Sequence, residues 1–231
     1  MIVTIGNMKG GVGKSTLACN VAAVLARAGT DVLLVDGDRQ GSSADFIQAR
    51  AEGRAGAIPC VRAQGREVVT QTRALADKMH HVIIDAGGQD NPSLRAGLAI
   101  SDCVLVPIVP RSFETWALDG MADLLEEAAL ANPGLEAFII LNMAPPRGQD
   151  TQATAAIIRE DYPQLCLLET VIVHRKVFSD AAGQGLSVLE ARPRNFQAIS
   201  ELQTLMMGLG LWQSNMEGIY DVSTKTTKTT S

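Results

Sequence analysis

The chain has 231 residues, 46% of them apolar, which suits one large α/β domain rather than two. A formal charge of −5 and a pI of about 5.2 exclude a chain that is basic all over, and leave a local basic patch open. Cys19, Cys60, Cys103 and Cys166 lie far apart with no C-x-x-C, so they read as buried thiols in a reducing cytoplasm rather than a cluster or metal site. No apolar run reaches the roughly 18 residues that span a bilayer. The chain enters its first strand at once, with no signal peptide expected.

Ile2-Val3-Thr4-Ile5 predicts a strand over 2–6, and Leu17, Val21, Val24 and Leu25 predict a helix over 15–28 that stops at Gly29. Between them stands Lys9-Gly10-Gly11-Val12-Gly13-Lys14-Ser15-Thr16. Strand, glycine loop and helix make a phosphate cradle. Glycines let backbone N–H groups meet phosphate oxygens, and the helix dipole points at the same anion. Lys14 supplies a cation for the β- and γ-phosphates, and Ser15 a hydroxyl for Mg²⁺. A second buried strand, 31–35, runs into Asp36-Gly37-Asp38-Arg39-Gln40-Gly41-Ser42. This puts carboxylates at the carboxyl end of a strand, where open parallel sheets bind ligands. Helix is predicted over 44–53, a short strand over 58–61 and helix over 64–78. The strand over 81–85 ends in Asp85 in the Walker B pattern, to hold Mg²⁺ through water, and Gly87 and Gly88 let the backbone approach the γ-phosphate. His80 and His81 read as strand-entry residues.

A strand over 103–110 precedes a helix over 112–130, closed by Asn132-Pro133-Gly134. A strand over 137–141 is followed by Asn142. Helix is predicted over 151–160, short strands over 165–168 and 170–173, and a last amphipathic helix over 194–212. The alternation predicts an α/β fold: a mostly parallel twisted sheet with helices on both faces, in one domain over 1–212. The Thr/Lys-rich tail, 213–231, is expected to be disordered.

The glycine loop departs from G-x-x-x-x-G-K-[ST]: Met8 stands where the first glycine belongs, and Lys9 is an extra lysine. KGGVGKST resembles the deviant Walker A loop of the ParA/MinD group of P-loop ATPases. Four further stretches resemble the family in order: VDGDRQGS, IDAGG, SDCVLVPIVPRSFE and the segment 174–190. The last matches I-x-x-R-x-x-[FY]-x-x-A-x-x-x-G-x-x-V-x-E. IDAGG is similar to the glycine-rich variants of small, ParF-like members. The resemblance covers about residues 1–210. It implies that Lys9 reaches the nucleotide of the other subunit in an ATP-bound homodimer. It implies that Asp38 positions or activates the attacking water and that Asp36 supports the Mg²⁺ site. Asn142 would hydrogen-bond adenine; an ordinary asparagine turn is the alternative. Arg39 stands where the family has Pro.

The resemblance further implies a slow, partner-stimulated ATPase with ATP and Mg²⁺ as cofactors, cytoplasmic and nucleoid-associated. It would bind non-specific DNA as the ATP dimer and act with a ParB-like centromere-binding protein or cargo adaptor, most naturally on a plasmid partition complex. Arg175, Lys176, Arg192 and Arg194 form the candidate DNA cluster, with a solvated surface as the alternative. Two rivals stand beside this reading: a MinD-like membrane-surface regulator and a metabolic P-loop enzyme. The stripe Leu202, Leu205, Met206, Leu209, Trp212 has no Lys or Arg between 195 and 224, so core packing is expected there, and no membrane contact.

Overall fold

The computed structural model describes residues 1–53, 55–88, 92–110, 115–212 and 216. Among them, seven strands form one sheet: β1 (Ile2–Ile5), β2 (Val32–Asp36), β3 (Cys60–Arg62), β4 (His81–Asp85), β5 (Cys103–Ile108), β6 (Glu136–Ala144) and β7 (Cys166–Val173). Its order is β3-β2-β4-β1-β5-β6-β7. All six pairings are parallel. Parallel neighbours need crossovers, and among the described residues eight helices supply them or follow them: α1 (Lys14–Arg27), α2 (Ser42–Glu52), α3 (Arg66–Ala76), α4 (Pro92–Leu98), α5 (Thr115–Ala131), α6 (Asp150–Asp161), α7 (Lys176–Ala182) and α8 (Phe196–Gly208).

The central strands carry apolar side chains on both faces, as strands covered on two sides must. Val3, Ile5, Leu34, Ile83, Leu105 and Ile140 pack under α1, α2, α7 and α8. Val104, Val106, Ile139 and Leu141 point the other way, under α4, α5 and α6, and Leu33, Val35 and Ile84 under α3 and α4. α1 is buried on nearly every side, from Leu17 to Leu25. It is therefore a fixed post, and the loop before it inherits a fixed end.

The helices 92–98 and 176–182 were not expected from the sequence. Each has seven residues, too few for a periodic stripe. The two short strands expected near 165–173 are one strand, β7, on the sheet edge, with register shifts against β6 around Leu141. The edge also leaves Cys166 exposed, against the expectation of a buried thiol, while Cys19 and Cys103 are buried and Cys60 is half-buried. The last helix stops at Gly208 rather than 212, because Gly210 turns left-handed (φ 67°) and Leu211 N–H returns to the Met206 carbonyl at 2.9 Å. Its stripe of Leu202, Leu205, Met206 and Leu209 lies in the core. Of the tail expected from 213, Met216 is described, and it is buried; the rest lies outside the described residues, as do Arg111–Glu114 of the segment after β5.

A buried tie crosses the whole chain. Arg50 of α2, 2% exposed, meets the Glu190 carboxylate with both of its terminal nitrogens, at 2.9 and 3.0 Å. It also donates to the carbonyls of Ala55, Gly56 and Gly185. Glu190 accepts from the Ser187 N–H and hydroxyl. Gly185 is left-handed (φ 67°), and a Cβ there would lie 2.1 Å from the Arg50 backbone nitrogen, so this close approach requires glycine.

Candidate functional site

Sheet register brings the site together. β2 and β4 run side by side with Asp36 opposite Asp85, and β1 places Ile5 beside Asp85 on the other flank. The glycine loop and both carboxylates therefore leave the sheet at one edge. Gly13 caps α1 in a left-handed conformation (φ 87°), and a Cβ there would lie 2.4 Å from Asn142 Nδ2. The first N–H groups of α1 are left without helical acceptors, as an anion site requires.

Lys14, 6% exposed, donates through Nζ to the Lys9 carbonyl at 3.0 Å. Burial lowers its pKa, while Asp85 and Asp38 pull the other way. Lys9 N–H donates to Asn7 Oδ1 at 2.9 Å, and Asn7 Nδ2 donates to the Pro107 carbonyl at 2.8 Å. From the opposite side, Asn142 Nδ2 donates to the Val12 carbonyl at 2.7 Å.

Asp85 accepts from Ser43 Oγ at 2.7 Å through one oxygen; the other is buried without a hydrogen-bond partner. Burial pushes its pKa up to about 6, the Ser43 and Ser15 hydroxyls oppose the rise, and Asp36 and Asp38 add to it. Asp36 differs. Both of its oxygens accept backbone N–H groups, from Asp38 at 3.1 Å and Ala44 at 2.9 Å, so it clamps the loop between β2 and α2. Burial raises its pKa, against those two N–H groups. Asp38 stands free of the strand, accepts from Gln40 N–H at 3.0 Å and faces the cleft.

The cleft measures about 570 Å³. The loop glycines with Lys14, Ser15 and Thr16 form one wall, Asp38, Gln40 and Ser42 the other, and Gly88 and Met143 close it. A smaller hollow adjoins it, where Gly13, Thr16, Asn142 and Met143 meet His174, Arg175 and Phe178. Met143 has φ 51°, a strained value for a side chain of its size, and it lines both spaces.

A buried carboxylate oxygen without a partner, beside a serine hydroxyl, fits Mg²⁺, which takes one or two protein oxygens and fills the rest of its shell from phosphate and water. Among the described residues, no group of three or more His, Cys, Asp or Glu could hold a metal by itself.

Residues 3–188 match the CobQ/CobB/MinD/ParA nucleotide binding domain. The chain belongs to that family. It is a P-loop ATPase of the ParA/MinD type. It is 27% identical to Maintenance of carboxysome distribution protein A of Halothiobacillus neapolitanus over 206 residues, covering 88% of this chain and 94% of the relative. It is 29% identical to the Chromosome-partitioning ATPase Soj of Thermus thermophilus, covering 83% and 88%. In fold it resembles McdA of Cyanothece in an ATP complex, with TM-score 0.75, 17% identity and coverage of 92% and 97%. MinD of Pyrococcus horikoshii with Mg-ADP gives TM-score 0.66 at 18% identity, covering 90% and 95%.

The four cations expected to form one cluster in this ParA/MinD-type ATPase do not share one environment. Arg175 is bound to Glu201 at 2.5 Å with both side chains largely covered, and it lines the smaller hollow. Lys176 is 87% exposed and pairs with Asp180 at 3.4 Å along its helix. Arg192 is exposed and donates to the carbonyls of Glu190 and Ala191, and Arg194 is exposed. Arg175 thus faces the hollow beside the glycine loop, while Lys176, Arg192 and Arg194 face solvent. Sequence reasoning also passed over Asn7, Ser43, Met143 and the Arg50–Glu190 pair. Asn7 had a readable signal, an asparagine two residues before a loop N–H that it can accept from. Ser43 and Met143 had none, because their roles come from strands distant in sequence.

Proposed function

We propose that this ATPase closes into a homodimer on ATP, binds DNA without sequence preference in that state, and releases it on hydrolysis while distributing a cargo through an adaptor protein. The observation that carries the reading is the pair of loop lysines. Lys14 lines the cleft and its Nζ holds the Lys9 carbonyl, so the phosphates already have one cation from their own subunit, and Lys9 is a second in the same loop. A second cation is used best across a closed interface, where charge is stabilised in a dry site. In this reading Gly10 to Thr16 hold the phosphates and Ser15 and Asp85 hold Mg²⁺. Asp36 fixes the loop that aims Asp38 at the attacking water. The base lies toward the hollow beside Asn142.

Relatives named for carboxysome distribution and for chromosome partitioning favour a large cargo, of which a plasmid partition complex is one kind. Lys176, Arg192 and Arg194 remain the DNA-facing cations, doubled when two subunits meet one duplex. The test is DNA affinity against salt with ATP, ADP and no nucleotide, beside the mass in solution from light scattering. Dimer mass and steep, salt-sensitive binding with ATP alone are expected. Equal affinity in ATP and ADP, or none in either, rejects the switch.

A further inference from the structure

The phosphate loop hangs from two neighbouring strands by two buried asparagines, one for each lysine. On the β5 side, Gly6 N–H makes the last ladder bond between β1 and β5, to the Leu105 carbonyl at 3.1 Å. Asn7 Nδ2 then takes the next acceptor, the Pro107 carbonyl, leaving the backbone free to turn out of the sheet. The same side chain accepts Lys9 N–H, a turn closed by an asparagine two residues upstream. Lys14 Nζ holds the Lys9 carbonyl, so both peptide groups flanking the Lys9 Cα are anchored. On the β6 side, Asn142 holds the Val12 carbonyl and so the half of the loop that runs into Lys14.

We propose that Asn7 is the positioning residue for Lys9, separate from the Asn142 anchor that positions the Lys14 half of the loop. The inference rests on the proposed role of Lys9 across the dimer. Removing the Asn7 amide leaves Lys9 N–H and the Pro107 carbonyl without their partner, and the loop moves where Lys9 stands. A displacement of about 1 Å at a reacting group costs on the order of 10²-fold in rate. The Val12–Lys14 half keeps its own tether.

The experiment compares Asn7→Ala, Asn7→Ser, Asn142→Ala and Lys9→Ala by four readings: ADP·Mg affinity, ATP-dependent mass, kcat and KM for ATP, and thermal midpoint without nucleotide. Asn7→Ala is expected to keep ADP affinity within about threefold while kcat falls about 10²-fold and the ATP dimer is lost. Asn7→Ser, which keeps an acceptor for Lys9 N–H, restores part of both. Asn142→Ala weakens ADP and ATP alike. If Asn7→Ala and Asn7→Ser lose ADP affinity and thermal midpoint together with kcat, Asn7 is a fold residue and the proposal is overturned. It is overturned equally if Lys9→Ala abolishes dimer and turnover while Asn7→Ala leaves both intact. If Lys9→Ala itself behaves as the parent, the dimer reading fails instead.

Discussion

The carboxyl edge around β1, β2 and β4 and the segment from Arg175 to Arg194 both carry charge, and they treat it in opposite ways. At the carboxyl edge, Lys14, Asp36 and Asp85 are almost wholly buried, and their placement is set by strand register and backbone hydrogen bonds. In the second region Lys176, Arg192 and Arg194 are exposed, and Arg175, which is covered, is committed to Glu201. Desolvated charges held in a fixed cleft can stabilise a reacting phosphate. Solvated charges are cheap to rearrange and suit a polyanion read only through its backbone.

Substitutions break the comparison most sharply in the cleft. Lys14→Gln removes the phosphate cation and is expected to bring nucleotide binding below detection by calorimetry; affinity near that of the parent would remove Lys14 from the site. Asp38→Ala is expected to bind ATP and accumulate as the dimer while hydrolysis slows by ~10²–10⁴. Turnover at the parent rate would move the role to another group. Arg50→Ala leaves the buried Glu190 carboxylate with only the Arg27 guanidinium at 3.9 Å as a charge partner and is expected to lower stability by about 3–5 kcal/mol in denaturant unfolding.

On the exposed side the effects are graded. Lys176→Ala with Arg192→Ala and Arg194→Ala should flatten the log–log salt dependence of DNA binding by about 0.9 for each phosphate no longer neutralised. Arg175→Ala should instead lower thermal stability and leave that slope alone. The smallest effect is in acid. Glu190 lies below its ordinary value of 4.5: burial alone would raise it, and Arg50 with the Ser187 N–H and hydroxyl outweigh that. A depressed carboxylate contributes fully above its unfolded value and loses that contribution as pH falls through the folded one. The thermal midpoint of the parent should therefore fall more steeply below about pH 4.5 than that of Glu190→Gln.

The sheet and the glycine loop were legible because each is written in consecutive residues. Apolar runs ending in Asp36 and Asp85 mark buried parallel strands, and Lys9 to Thr16 carry glycines that the loop backbone demands. The α4 and α7 helices were not, since seven residues leave no period to read. Within the site, the neighbourhood of Asp85 and Ser43 depends on β2 and β4 pairing directly although β3 separates them in sequence. The contacts of Asn142 to Val12 and of Arg50 to Glu190 span 130 and 140 residues. Such pairs have no local spacing to betray them. Sequence shows the charge of Arg175 and not the Glu201 that pairs with it.

The Arg50–Glu190 pair has a consequence for the order in which the molecule can be made. A guanidinium buried to 2% exposure has its carboxylate 140 positions downstream. A nascent chain that has emitted β1 to β5 already owns the central sheet, yet α2 cannot settle in its final seat without stranding a charge. Closing so long a loop comes late, after local helices and shorter strand crossovers have formed. The segment around Glu190 thus acts as a keystone: until it arrives, the helix that follows Asp38 has no finished place to stand, and the catalytic edge is completed only after residue 190 has been made.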